Sequence, residues 1–209
     1  MTITPNVKIG CKTLCCRLLS AVCRLLLAVC CLLLLAGSVQ AAAVTNWNVL
    51  TGNWEDPANW TMGRPTDGDE AYIDNDGTAT VESGIMGQAV FLRVGDNGNG
   101  TLEILNGGEV TTESHIRIGY SVGSEGKVTV EGSGSELNAG DILDPTSFNV
   151  LTVGFSGTGT LEIKDGGRAT ASSHIYLGDQ SVFKFHSGPP KTAMSHTMGE
   201  IEKLRPTKR

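Results

Sequence analysis

The chain has 209 residues, and 22 acidic against 16 basic side chains leave a net charge of −6. The charge is uneven, with 20 acidic and 6 basic groups over residues 44–179 but 2 and 6 over residues 180–209. So acidic a body argues against nucleic acid and anionic membrane surfaces as partners, since both bind cationic faces.

The first 43 residues read as a helical secretory signal peptide. Lys8, Lys12, Arg17 and Arg24 make a basic start, twelve apolar residues follow over Leu25–Ala36, and small residues close the segment in "GSVQAAA". An uncleaved anchor is the alternative, and any membrane attachment would then run through this leader. The apolar run is shorter than the roughly 20 residues that span a bilayer. All six cysteines lie in the leader. The exported part therefore has no thiol for a disulfide, a thiolate metal site or a Cys nucleophile.

Residues 44–70 hold all three tryptophans, Trp47, Trp54 and Trp60. Indoles bury much apolar area while keeping one N–H for a partner, so the segment is expected to cap the open end of the repeats beyond it. The functional alternative uses Trp54 and Trp60 as a stacking platform for sugar rings. The same region brings acidic turns, "DGDE" and "DNDG". Asp67, Asp69, Asp74 and Asp76 are a weak calcium candidate, because calcium needs six to eight oxygen ligands and ordinary Asx turns account for the residues. No other cofactor is expected.

Residues 71–181 repeat themselves. Residues 92–119 align without a gap on 151–178, and 16 of the 28 pairs are identical. Apolar residues alternate as Leu92-Arg93-Val94, Leu102-Glu103-Ile104, Ile116-Arg117-Ile118, Leu151-Thr152-Val153 and Leu161-Glu162-Ile163. That is the period of a half-buried strand. Glycine fills 23 of the 138 positions from 44 to 181, well above the usual ~7%, which supplies the corners between short strands.

A weaker half-repeat of about two dozen residues relates 94–104 to 118–130, and an insertion, "DILDPTSFN" at 141–149, precedes the next copy. A period of that size suits one turn of a parallel β-helix. The expected fold is all-β: a parallel β-helix (β-solenoid) of about four to five coils behind a Trp-rich cap. An antiparallel sandwich is the competing reading; it does not explain why equivalent residues recur in register. Residues 182–209 read as an irregular basic tail, in which 192–204 is the one stretch that could form a helix.

The "VGxxGxGTLEIxxGGxxTxxSHIxIG" block with "GKVTVEGSGSEL", after the "GNWEDPANWTMGRPTDGDEAYI" segment, resembles the repeats of bacterial autotransporter (type V secretion) passengers and PEP-CTERM-associated surface proteins. The resemblance covers about 47–181 and implies a right-handed parallel β-helical stalk displayed at, or released from, a bacterial envelope, without catalytic residues.

Chemistry is otherwise sparse. His115 and His174 occupy equivalent outward positions expected two coils apart, about 10 Å, too far to share a metal ion. Glu103 and Glu162 are expected at a similar separation, with no companion base. The sequence therefore predicts a non-enzymatic, exported structural or adhesive module, extracellular or on the outer surface, whose partner is a host-surface or envelope polysaccharide or protein. The runner-up is an envelope carbohydrate-binding or polysaccharide-cleaving module.

Overall fold

The structure, a computed structural model, describes residues 42–140, 150–186, 194–196 and 201–203. The leader, apart from Ala42 and Ala43, and the 141–149 insertion lie outside the described residues. Every named element is a strand except one short 3-10 turn at Pro57–Asn59, which Asp56 caps by accepting from the Ala58 amide.

In chain order the strands are β1 (Val44–Asn46), β2 (Thr51–Asn53), β3 (Glu70–Val81), β4 (Met86–Ala89), β5 (Phe91–Leu105) and β6 (Glu109–Thr112). Next come β7 (Ile116–Ile118), β8 (Glu125–Glu131), β9 (Glu136–Ala139), β10 (Val150–Val153) and β11 (Thr158–Lys164). The last are β12 (Arg168–Ala171), β13 (His174–Leu177), β14 (Ser181–Phe185), β15 (Met194–His196) and β16 (Ile201–Lys203).

Each pairing between these strands is parallel, and the pairings fall into three ladders. The first runs β1, the start of β3, the start of β5, β7, β10, β13 and β16. The second runs β2, the ends of β3 and β5, then β8, β11 and β14. The third runs β4, β6, β9, β12 and β15. Parallel neighbours cannot be joined by a tight hairpin, so the antiparallel sandwich is not the arrangement adopted.

Register follows the repeat. Ala71, Leu92, Ile116, Leu151 and Ile175 are successive partners in the first ladder. Ala79, Leu102, Val128, Leu161 and Phe183 are successive partners in the second. The aliphatic members of both columns are fully buried, each burial being favourable by about 1.5–3 kcal/mol for a Val, Leu or Ile. Alternation sends the intervening residues outward: Tyr72, Arg93, Arg117, Thr152 and Tyr176 form one external column.

Glycines make the stacking possible where the first ladder turns into the second. Gly100, Gly126 and Gly159 are in line with one another, and a Cβ on any of them would run into the carbonyl oxygen of Ile73, Val94 or Ile118 respectively. The other glycine requirement is positive φ: Asn106-Gly107 and Asp165-Gly166 turn with φ of 55° and 90°, and of 49° and 90°. Two consecutive left-handed residues are accessible to Asn, Asp and Gly and resisted by β-branched side chains.

The three indoles pack together. Trp60 meets Trp47 and Trp54 edge to face, with centroids 5.0 Å and 4.8 Å apart, and its Nε1 donates to the Trp54 carbonyl at 2.9 Å. Trp54 lies against Gly87 of β4, where an added methyl would sit 3.0 Å from the indole.

The end of the chain departs from the expectation drawn from its sequence. The ladder does not stop at Ser181, because β14 continues against β11 to Phe185. The stretch 192–204, irregular or at most helical by its sequence, is strand at its described positions: β15 extends β12, and β16 pairs with β13 with Ile201 opposite Ile175. The open edges of β12 and β13 supply unpaired N–H and C=O groups that a strand satisfies and a helix does not.

Candidate functional site

On the outward face of the first ladder, small side chains in one strand lie between large ones in its neighbours. β10 presents Val150 and Thr152, whereas β7 presents Arg117 with His115 just before it, and β13 presents His174 and Tyr176. The mismatch in side-chain height leaves an open groove of about 420 Å³ whose floor is Val150 and Thr152. Tyr120 and Phe155 wall its side, stacked with centroids 4.8 Å apart and planes inclined by 9°. Phe155 is 47% exposed, unusual for a ring of its size in this chain.

The polar groups of the face are held in place. Arg93 donates to Glu70 at 2.8 Å while its guanidinium lies 4.5 Å from the centre of the Tyr72 ring. Arg117 lies 4.2 Å above the Tyr120 ring, and no carboxylate pairs with it among the described residues. Ser114 Oγ and His115 Nδ1 are 2.5 Å apart, and Ser173 and His174 repeat the pair at the same distance. His115 stacks on Phe91, and His174 on Tyr176. Partial burial, then the charges of Arg117 and Arg93, push the His115 pKa below its ordinary value. Two guanidinium groups therefore lie near His115 on this face, Arg93 paired with Glu70 and Arg117 set over an aromatic ring.

The residues singled out from the sequence lie elsewhere. Trp54 and Trp60 are 0% and 3% exposed, so their ring faces are spent on packing and the sugar-stacking role assigned to them is withdrawn. The aspartates are engaged in turns and strand crossings. Asp69 accepts from the Ala43 and Thr66 amides and from the Thr66 hydroxyl, and Asp76 from the Asn99 amide side chain. Asp74 accepts from the Asp96 and Asn97 amides at 2.6 and 3.4 Å. Asp67 has no partner in common with them, and no group of three or more His, Asp or Glu side chains converges among the described residues.

Glu103 and Glu162 are separated in register by Thr129, two ladder steps as expected. Glu162 is nearly buried and accepts from His186 Nε2 at 2.7 Å, with Lys164 Nζ 3.7 Å away. Burial opposes its ionisation, but the His186 hydrogen bond and the charges of Lys164, His186 and Lys127 outweigh it, and the pKa is lowered. This is an ion-paired carboxylate on a strand face.

Tyr120 and Phe155 were not singled out from the sequence, although a signal was present. Each follows the corner glycine in "RIGY" and "TVGF", so register alone brings the two rings to adjacent turns.

No family model matches the chain, and no solved structure matches it. The chain is similar to an uncharacterized protein, YuaQ, of Escherichia coli (strain K12), at 30% identity over 95 residues. The match covers 44% of this chain and 6% of that relative's length.

Proposed function

We propose that the chain is a right-handed parallel β-helix of about four to five coils, capped by the Trp47–Trp54–Trp60 cluster, and that it is an exported structural or adhesive stalk without catalytic activity. The observation that carries this reading is the unbroken register of the external column Tyr72, Arg93, Arg117, Thr152 and Tyr176. A chain wound about one axis stacks equivalent positions in this way. Support for export comes from the basic-apolar-small order of residues 1–43, and for display from the resemblance of 47–181 to passenger repeats.

The second reading, a carbohydrate-binding module, is favoured by the exposed Phe155 and the groove beside it. Cleavage has less support, since Glu162 is committed to His186 and Lys164. Expression of the full chain in a bacterium, followed by fractionation and N-terminal sequencing, tests the proposal. The expected product is found outside the cytoplasm, begins near Ala42, and releases no reducing sugar from polysaccharides. Retention in the cytoplasm with the leader intact contradicts export, and sugar release contradicts a non-catalytic stalk.

A further inference from the structure

We infer that the groove floored by Val150 and Thr152 is a docking site for an acidic polysaccharide whose sugar rings carry carboxylates. The inference deepens the adhesive part of the proposed function and rests on the same outward face.

The shape comes first. Val150 and Thr152 are short side chains set between taller ones, so the groove is built into the register and needs no movement to form. Its walls are of two kinds. Phe155, which is 47% exposed, and Tyr176 offer flat apolar surface, suited to the C–H face of a sugar ring, while Tyr120 is stacked on Phe155 and covered by Arg117 and so braces both. Arg117 closes one side with a guanidinium 4.2 Å from the centre of the Tyr120 ring and without a carboxylate partner among the described residues. A guanidinium so placed matches a carboxylate in two-point geometry.

Charge complementarity decides the class of ligand. Arg93, one step along the column, is already paired with Glu70; Arg117 is not. The His115 pKa is lowered first by partial burial and then by the charges of Arg117 and Arg93. A nucleic acid needs many phosphates neutralised at once, and the net charge of −14 over residues 44–179 opposes that. A glycan that places one carboxylate on Arg117 and its rings on the aromatic walls needs no more cation than the groove holds.

Binding of the full chain to polygalacturonate, its methyl ester and oligothymidylate, followed by titration calorimetry, tests the assignment. Polygalacturonate is expected to bind, and the ester at least tenfold more weakly. Arg117→Gln is expected to weaken binding at least tenfold, with partial recovery in Arg117→Lys, and Phe155→Ser at least fivefold. None of the three variants should alter the circular dichroism spectrum. Because bound carboxylate favours the protonated imidazole, affinity should rise from pH 8 to pH 5.5, and His115→Gln should abolish that rise.

Failure to bind polygalacturonate, or equal binding of acid and ester, overturns the inference, as does an Arg117→Gln variant indistinguishable from the parent. Tighter binding of oligothymidylate would assign the groove to nucleic acid instead. Binding seen only after deletion of 141–149, the segment that leads into Val150, would make that segment the occupant. None of these results bears on export or on winding, which fractionation and cross-linking read separately.

Discussion

Tyr120 and Phe155 lie 35 positions apart in the chain and stack face to face, 4.8 Å between centroids, because β7 and β10 are in register with Ile118 opposite Val153. The contact is a consequence of parallel strand register rather than of local sequence. It is also solvent-exposed, which separates its contribution to binding from its contribution to stability. Phe155→Ala is therefore expected to cost about 0.5–1.5 kcal/mol, the worth of an aromatic pair, and to shift the thermal midpoint by only a few degrees.

Residues inside the coil should behave differently. Leu102 and Ile116 are fully buried, each between aliphatic partners above and below. Leu102→Ala or Ile116→Ala is expected to cost about 2–5 kcal/mol, since the cavity cannot collapse in a stack. Urea denaturation with unchanged slope measures this, and a loss below about 1 kcal/mol would place the side chain outside the core.

Two glycines separate steric from conformational requirements. At Gly107 no atom lies closer than 3.7 Å to an added Cβ, but φ is +90°. Gly107→Val should cost more than Gly107→Asn, by about 1–2 kcal/mol, because the left-handed region resists β-branching. At Gly126 the Val94 carbonyl stands in the way, so even Gly126→Ala is expected to lower soluble yield and stability. Equal melting of Gly107→Val and Gly107→Asn would refute the turn geometry.

Acid and neutral stability depend on opposite pKa shifts. The lowered pKa of Glu162 means that folding favours its ionised form. That contribution is present above the ordinary glutamate value of 4.5 and is lost as pH falls below it. Glu162→Gln should flatten stability versus pH in that window. Asp74 is raised, chiefly by burial, with the Asp96 carboxylate adding to it against the amide hydrogen bonds. Its neutral form is favoured, so stability falls as pH rises from 3.8 through the folded value. Asp74→Asn keeps an oxygen for the Asp96 amide and is expected to raise the melting temperature at pH 7 while changing little at pH 3.

Much of this architecture was legible in the sequence. The alternation at Leu92–Val94, Ile116–Ile118 and Leu151–Val153, with the 59-residue repeat, placed these strands on one ladder in the register observed. Trp54 and Trp60 were ambiguous because burial is a property of the surrounding packing, and Gly87 has no side chain to announce that an indole lies on it. Met194–His196 and Ile201–Lys203 were not legible as strands because their apolar spacing over a short stretch suits either helix or strand, and the available edges of β12 and β13 decide it. The groove was missed since it arises from the smallness of Val150 and Thr152 relative to residues in other turns, a comparison visible only once the turns are stacked.

Cysteine pairs on the second ladder measure that stacking most directly. Thr101, Lys127 and Thr160 are successive outward partners, and with the six leader cysteines replaced by serine no other thiol competes. Parallel neighbours stand about 4.8 Å apart, within disulfide range, and positions two steps apart about 10 Å, beyond it. On mild oxidation, Thr101→Cys with Lys127→Cys should close an intramolecular disulfide, found by peptide mapping, and Thr101→Cys with Thr160→Cys should remain reduced. The reverse pattern would contradict the winding on which the stalk and its groove both depend.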